Sequence, residues 1–139
     1  MRICVASEGP GGLEDRVSSV FGRCSRFTIV EIEDGEIKNV HVVENPGAQA
    51  SGGAGIQAAQ KVIDEGCSVI IASSIGPNAG EVFRMANIKM LAAPGMIIKE
   101  AIQRYLNGEL QEIVPHGGKG GGRGMGRGRG MGMGRTQVW

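Results

Sequence analysis

The chain has 139 residues, 41% of them apolar and 4% aromatic, with three cysteines and a formal net charge of +1. That length fits one domain whose modest core rests on Ile, Val, Leu, Ala and Met. No apolar run is long enough to indicate a membrane span, and the odd count and wide spacing of Cys4, Cys24 and Cys67 argue against a disulfide scaffold and for a reducing, cytoplasmic setting. The net charge conceals a split: residues 1–115 hold ten Lys+Arg against fourteen Asp+Glu, while residues 116–139 hold five basic residues and no acid.

In chain order, Arg2 to Ser7 is a short apolar run suited to a buried strand, broken by Glu8-Gly9-Pro10-Gly11-Gly12. Leu13, Val17 and Val20 lie near helical spacing and predict a short helix over 13–20. Phe27 to Glu33 is β-rich and Asp34-Gly35 is a strong hairpin signal, so Glu36 to Glu44 returns antiparallel. From Gly55 to Glu65 the apolar residues Ile56, Ala59, Val62 and Ile63 share one helical face, and Gly66 is placed to stop that helix. Cys67 to Ala72 reads as a strand covered on both faces. A helix over about Asn78 to Ala86, a strand over Ile88 to Ala92 and a last helix from Ile97 to Leu106, ended by Asn107-Gly108, complete the order. These elements predict an α/β fold: a three-layer domain, similar in element order to the ribonuclease-H-like architecture, with a mixed five-stranded sheet and helices on its faces. The domain is expected over 1–115. Residues 116–139, dominated by Gly, Arg and Met, are expected to be a disordered tail, since they offer too little apolar surface to offset their ordering entropy.

Two glycine-bearing loops open helices. The first runs from Asn45 through Gln49, Ser51, Gly52, Gly53 and Gly55; the second runs from Ser73 through Gly76, Pro77 and Asn78. Glycines at a helix start let a ligand approach backbone N–H groups that have no partner, and the helix dipole adds partial positive charge there, so both loops suit an anion. A plain strand-to-helix turn is the competing reading of each. Neither is a GxGxxG or Walker motif. A third feature is Phe21-Gly22-Arg23-Cys24-Ser25-Arg26-Phe27, where two arginines flank a cysteine. Neighbouring cations favour a thiolate, which is a soft metal ligand; the alternative is a small buried cysteine in a strand-entry turn. His41 on the return strand is a second candidate ligand or a satisfied strand histidine. No carboxylate set or nucleophile–base pair points to an enzyme, and the lack of clustered acids at the first strand excludes a metal-dependent nuclease.

Phe21-Gly22-Arg23-Cys24, Glu44-Asn45-Pro46, Ser51-Gly52-Gly53-Ala54-Gly55-Ile56-Gln57-Ala58-Ala59, Ile75-Gly76-Pro77-Asn78-Ala79 and Glu100-Ala101-Ile102, in that order, resemble the dinitrogenase iron–molybdenum cofactor biosynthesis family, the nitrogenase accessory factors. The resemblance covers Met1 to about Ile113. It implies a non-catalytic ribonuclease-H-like domain that transiently carries an iron–sulfur or molybdenum-containing cluster between donor and acceptor proteins. Together with the loop chemistry above, this predicts a cleft formed by residues 22–26, 45–55 and 74–78. Arg23, Cys24, Arg26, Asn45, Ser51, Gly52, Gly53, Gly55, Gly76 and Asn78 would contact the cofactor, with Cys24 and His41 as metal ligands. Some relatives carry histidine where this chain has Gln49 to Gly52. A monomer or weak dimer with no membrane contact is expected. The alternative is an interaction module whose Arg-Gly tail binds RNA or an acidic protein; the tail has no interleaved aromatic residues to stack bases, which disfavours nucleic acid.

Overall fold

The computed structural model describes residues 1–113. Strands β1 (Arg2–Ser7), β2 (Arg26–Glu33) and β3 (Glu36–Glu44) are followed by a single 3-10 turn (Pro46–Gln49) and helix α1 (Ala54–Asp64). Then come β4 (Val69–Ala72), α2 (Pro77–Met85), β5 (Lys89–Ala92), α3 (Ile98–Leu106) and β6 (Gln111–Glu112). The sheet is mixed, in the order β3-β2-β1-β4-β5-β6. β1, β4 and β5 run parallel, while β2, β3 and β6 are antiparallel to their neighbours. The parallel strands are linked through helices, as crossover connections require.

Alternation along β1 divides the interior. Cys4 and Ala6 face a core beneath α1 and α2 with Phe21, Phe27, Ile70 and Phe83. Ile3 and Val5 face a second core beneath α3 with Val17, Ile71, Ile98 and Ile102. Both faces of β1 and β4 are therefore buried, and their sequences read as continuous apolar runs. At the hairpin, Asp34 (φ 55°) and Gly35 (φ 76°) both take the left-handed conformation that a two-residue turn needs. Gly66 (φ 75°) ends α1 in the same conformation.

Two expectations are corrected. The sheet has six strands rather than five. β6 is two exposed polar residues paired with Leu91 and Ala92, too short to show a period. It is anchored by burial of Leu110 and a bond from Ile113 N–H to the Met90 carbonyl (2.9 Å). Residues 13–20 form no helix. The Asp15 carboxylate instead accepts N–H bonds from Gly9 (2.8 Å), Gly11 (2.8 Å) and Arg16 (2.7 Å) and holds the segment as a loop. That loop lays Val17 into the α3-side core through bonds from Val17 N–H to Met96 and from Ser18 N–H to Ala6. A helix would use the Val17 and Ser18 amides within the segment; here they bond to Met96 and Ala6, and the carboxylate ties Asp15 back to the glycine turn before it. The expected tail lies outside the described residues.

Candidate functional site

Strands β3 and β4, which point the same way, deliver the chain to one rim of the sheet, where α1 and α2 begin side by side. α1 starts at Gly53, whose left-handed φ of 69° suits glycine, and no side chain caps it. α2 starts at Gly76 in extended conformation with Pro77 in its first turn, and no side chain caps it either. The first bonds of the two helices run from Gln57 N–H to the Gly53 carbonyl (3.0 Å) and from Gly80 N–H to the Gly76 carbonyl (2.9 Å). The N–H groups of Ala54, Gly55, Ile56, Asn78 and Ala79 have no acceptor among the described residues. Neither helix carries an acid in its first turn. Between the two starts lies a cavity of about 270 Å³, walled by Phe21 and Gly22, by Gly53 to Ile56 and by Gly76 to Ala79. Open amides and two dipole ends on one concave wall suit a negatively charged guest.

Glycines make this closeness possible. A Cβ on Gly22 would stand 3.2 Å from the backbone of Gly55, and one on Gly55 would stand 3.6 Å from the Ala79 Cβ. A Cβ on Gly47 would run into the carbonyl oxygens of Ala54 and Gly22. By contrast, Gly52, Gly53 and Gly76 face open space. Asn45 is the clamp. Buried to 4% exposure, it donates through Nδ2 to the carbonyls of Gly22 (3.0 Å) and Cys24 (2.8 Å) and accepts through Oδ1 from Gly47 N–H (2.8 Å). Both amide protons are committed, so Asn45 positions the loops and is no donor to a ligand. The intervening 3-10 turn, absent from the sequence expectation, is built on this Asn45 cap.

The single cleft expected from residues 22–26, 45–55 and 74–78 resolves into two depressions. Gly53, Gly55, Gly76 and Asn78 wall the cavity between the helix starts. Arg26 and Asn45 border a separate cleft of about 510 Å³ with Glu44, Gln49 and Lys61, where Glu44 opposes an anion. Ser51 and Gly52 are exposed in the loop leading to α1. Arg23 donates to the Ala50 carbonyl (3.0 Å) and straps that loop.

The metal ligands expected at Cys24 and His41 are not brought together. Cys24 is buried; its thiol bonds to the Arg26 carbonyl (3.6 Å) and meets Asn45 Nδ2 (3.7 Å). Burial pushes this thiol up to about 11, against bonds that lower it, which favours the protonated thiol. The arginines do not help: Arg23 reaches Ala50, and Arg26 reaches the Gly9 carbonyl (3.4 Å). His41 Nε2 lies 3.8 Å from Glu65, beyond the far end of α1. Among the described residues no group of three His, Cys, Asp or Glu could hold a metal ion. Phe21, Ile56 and Ala79 belong to the cavity wall and were not singled out as site residues; their signal was position, next to Gly22 and within the first turn of each helix.

Residues 1–108 match the family described as dinitrogenase iron–molybdenum cofactor. An uncharacterized protein of Methanocaldococcus jannaschii is 40% identical over 98 residues, spanning 70% of this chain and 83% of that protein. Among solved structures, the apo form of the orange protein from Desulfovibrio gigas is 32% identical, with a TM-score of 0.75, over 82% of this chain and 93% of that one. The NMR structure of a Thermotoga protein assigned as a NifB candidate is 34% identical, with a TM-score of 0.69, over 86% of this chain and 98% of that one.

Proposed function

This chain belongs to the dinitrogenase iron–molybdenum cofactor family, and from that premise we propose that it is a small non-catalytic carrier for an anionic metal–sulfur cofactor or precursor. The cargo, an iron–sulfur or molybdenum-containing cluster held transiently, sits in the cavity between the starts of α1 and α2. The observation that carries this reading is the set of five acceptor-free N–H groups from two uncapped helices on one cavity wall. Sulfide edges of such a cargo carry the negative charge and accept N–H bonds, and the glycine wall lets them come close. A volume of about 270 Å³ favours a compact inorganic guest. With the Cys24 sulfur committed inside its loop and His41 distant, the wall offers backbone donors rather than metal ligands. The cargo therefore arrives with its metal already coordinated by sulfide. Ser51, Gly52 and Arg23 stand at the exposed side of the α1 loop and add donors as the guest enters. The partners are the proteins that supply and receive the cluster, in keeping with the family's name. The "apo form" of the orange protein structure implies a loaded state for that relative, and the reading extends this to the present chain.

The test is anaerobic incubation with tetrathiomolybdate, or with iron and sulfide, followed by desalting. The reading expects a sulfur-to-metal charge-transfer band that stays with the protein and survives Cys24→Ser. No retained band with either cargo overturns it; a band lost with Cys24→Ser in a folded protein moves the site to a thiolate.

A further inference from the structure

We propose that Trp139, which lies beyond the described residues, docks into an apolar groove on the α3 side of its own chain. The groove has a volume of about 360 Å³ and is walled by Met1, Ile32, Leu91, Tyr105, Leu106 and Leu110, with Lys89 also in the wall. Ile32, Leu91 and Leu110 are buried and belong to the core beneath α3, while Tyr105 and Leu106 are half-buried at the end of that helix. Met1 is 52% exposed, an apolar side chain left at the opening. The groove stands at the end of the sheet where β1 and β5 begin, on the face opposite α1 and α2. The cargo cavity lies where β4 ends, so the two are separate and this inference does not depend on the cargo reading.

Composition, tether and charge select the occupant. Trp139 is the one tryptophan of the sequence, and residues 114–139 contain no Phe or Tyr. An indole offers more apolar area than the valines and thioethers of that segment. Lys89 in the wall favours an aromatic guest, since an ammonium is attracted to a ring face. The segment starts at the groove's edge. Ile113 is held by its N–H bond to the Met90 carbonyl (2.9 Å), and Lys89, beside it in the neighbouring depression, also walls the groove. Residues 114–139 are 26 in number and eleven are glycine; a glycine-rich chain of that length has a root-mean-square span of about 25–30 Å. A tether of this kind presents the indole at a roughly millimolar effective concentration, which favours the chain's own segment over a second copy in dilute solution. Acids flank the walls in sequence: Glu33 and Asp34 between Ile32 and Gly35, and Glu109 between Gly108 and Leu110. All three are exposed and have no ion-pair partner among the described residues. They outnumber the cations of the groove, Lys89 and the Met1 ammonium, which donates to the Ile32 carbonyl (2.9 Å). Residues 116–139 carry five basic residues and no acid, and Arg135 stands four positions before Trp139. Four residues of extended chain span about 13 Å, so Arg135 reaches a rim carboxylate while the indole is seated.

The single tryptophan reports on its own position, so fluorescence of the full chain tests this. The expected emission is blue-shifted from that of the same chain unfolded in urea, shielded from acrylamide, and unchanged on dilution. Leu106→Lys, which puts a charge into the groove, moves the emission to the unfolded position and restores quenching, with circular dichroism showing that the fold is kept. Glu33→Lys/Glu109→Lys alters exposed side chains alone and weakens the shielding, most at low salt; this variant decides the matter if Leu106→Lys does not fold. An indole as open to acrylamide in the parent as in urea overturns the proposal. So does a shielded indole that neither variant moves, which would seat it elsewhere. Shielding that fades on dilution overturns it too, since the groove would then be filled by a second copy.

Discussion

Replacing Gly76 by aspartate separates stability from binding at the site. Gly76 occupies the cap position of α2 with φ −73° and ψ 172°, a conformation open to any residue, and its missing Cβ faces open space. An aspartate there accepts bonds from the free amides of Asn78 and Ala79, as cap residues do. The fold gains a few tenths of a kcal/mol over glycine, so Tm stays level or rises slightly. The cargo loses two donors, at about 1 kcal/mol each. It also meets a carboxylate; at ~5 Å and an effective dielectric of ~20 two unit charges repel by about 3 kcal/mol, and solvent and salt reduce that to about 1. The sum, about 3 kcal/mol, is roughly 100-fold in affinity. Gly76→Ala is the control: it fits the same backbone and leaves the amides open, so it binds as the parent does. Anaerobic tetrathiomolybdate titration, read by absorption and paired with a thermal melt, measures both quantities. If Gly76→Asp binds as tightly as the parent while remaining folded, the open amides of α2 are not the binding groups and the reasoning fails.

Asn45→Ala removes three bonds and leaves the carbonyls of Gly22 and Cys24 and the N–H of Gly47 without that partner in the interior. A loss of about 2–4 kcal/mol in chemical denaturation is expected; a loss below ~0.5 would show that the clamp is dispensable. The thiols should differ in reactivity. A bond from Cys4 favours the Cys67 thiolate despite burial, while burial pushes Cys24 to about 11. With an aromatic disulfide reagent at mildly alkaline pH, Cys67 should react first, its phase vanishing in Cys67→Ser; Cys24 reacting first would contradict the burial argument. Burial raises the Asp15 carboxyl, but N–H bonds from Arg16, Gly9 and Gly11 outweigh it and hold the group below its ordinary value. Its contribution to stability is therefore complete above the ordinary aspartate range and disappears as pH falls through the lowered value. Asp15→Asn should flatten Tm against pH in that acid window, and an unchanged slope would show that the carboxylate contributes nothing.

Backbone punctuation was the most legible part of this chain. Asp34-Gly35 and Gly66 marked their turns because only a few residue types accept positive φ, and the structure holds all three there. The helix starts were legible from their glycines and proline, although only Gly53 among them takes positive φ, and the structure places Gly53, Gly55, Gly76 and Asn78 around one cavity. What escaped depended on partners distant in sequence. Asn45 read as a ligand donor because its three partners, from Gly22 to Gly47, are set by tertiary contact. Arg23 and Arg26 read as cations beside Cys24, yet each reaches a loop carbonyl elsewhere. The segment 13–20 has helical spacing, but Asp15 takes up the loop amides and Val17 needs only one buried position. β6 has no periodic signal, since two polar residues on a sheet edge carry none.

The central claim is that helix-start amides, rather than side chains, hold the cargo. Amide ¹⁵N–¹H spectra of the protein, recorded without oxygen before and after tetrathiomolybdate is added, test it most directly. The account predicts that the largest shifts fall together on Ala54, Gly55, Ile56, Asn78 and Ala79, with His41 and Glu65 unmoved. Shifts centred on His41 and Glu65, or on the cleft beside Arg26 and Lys61, with the helix starts silent, would contradict it.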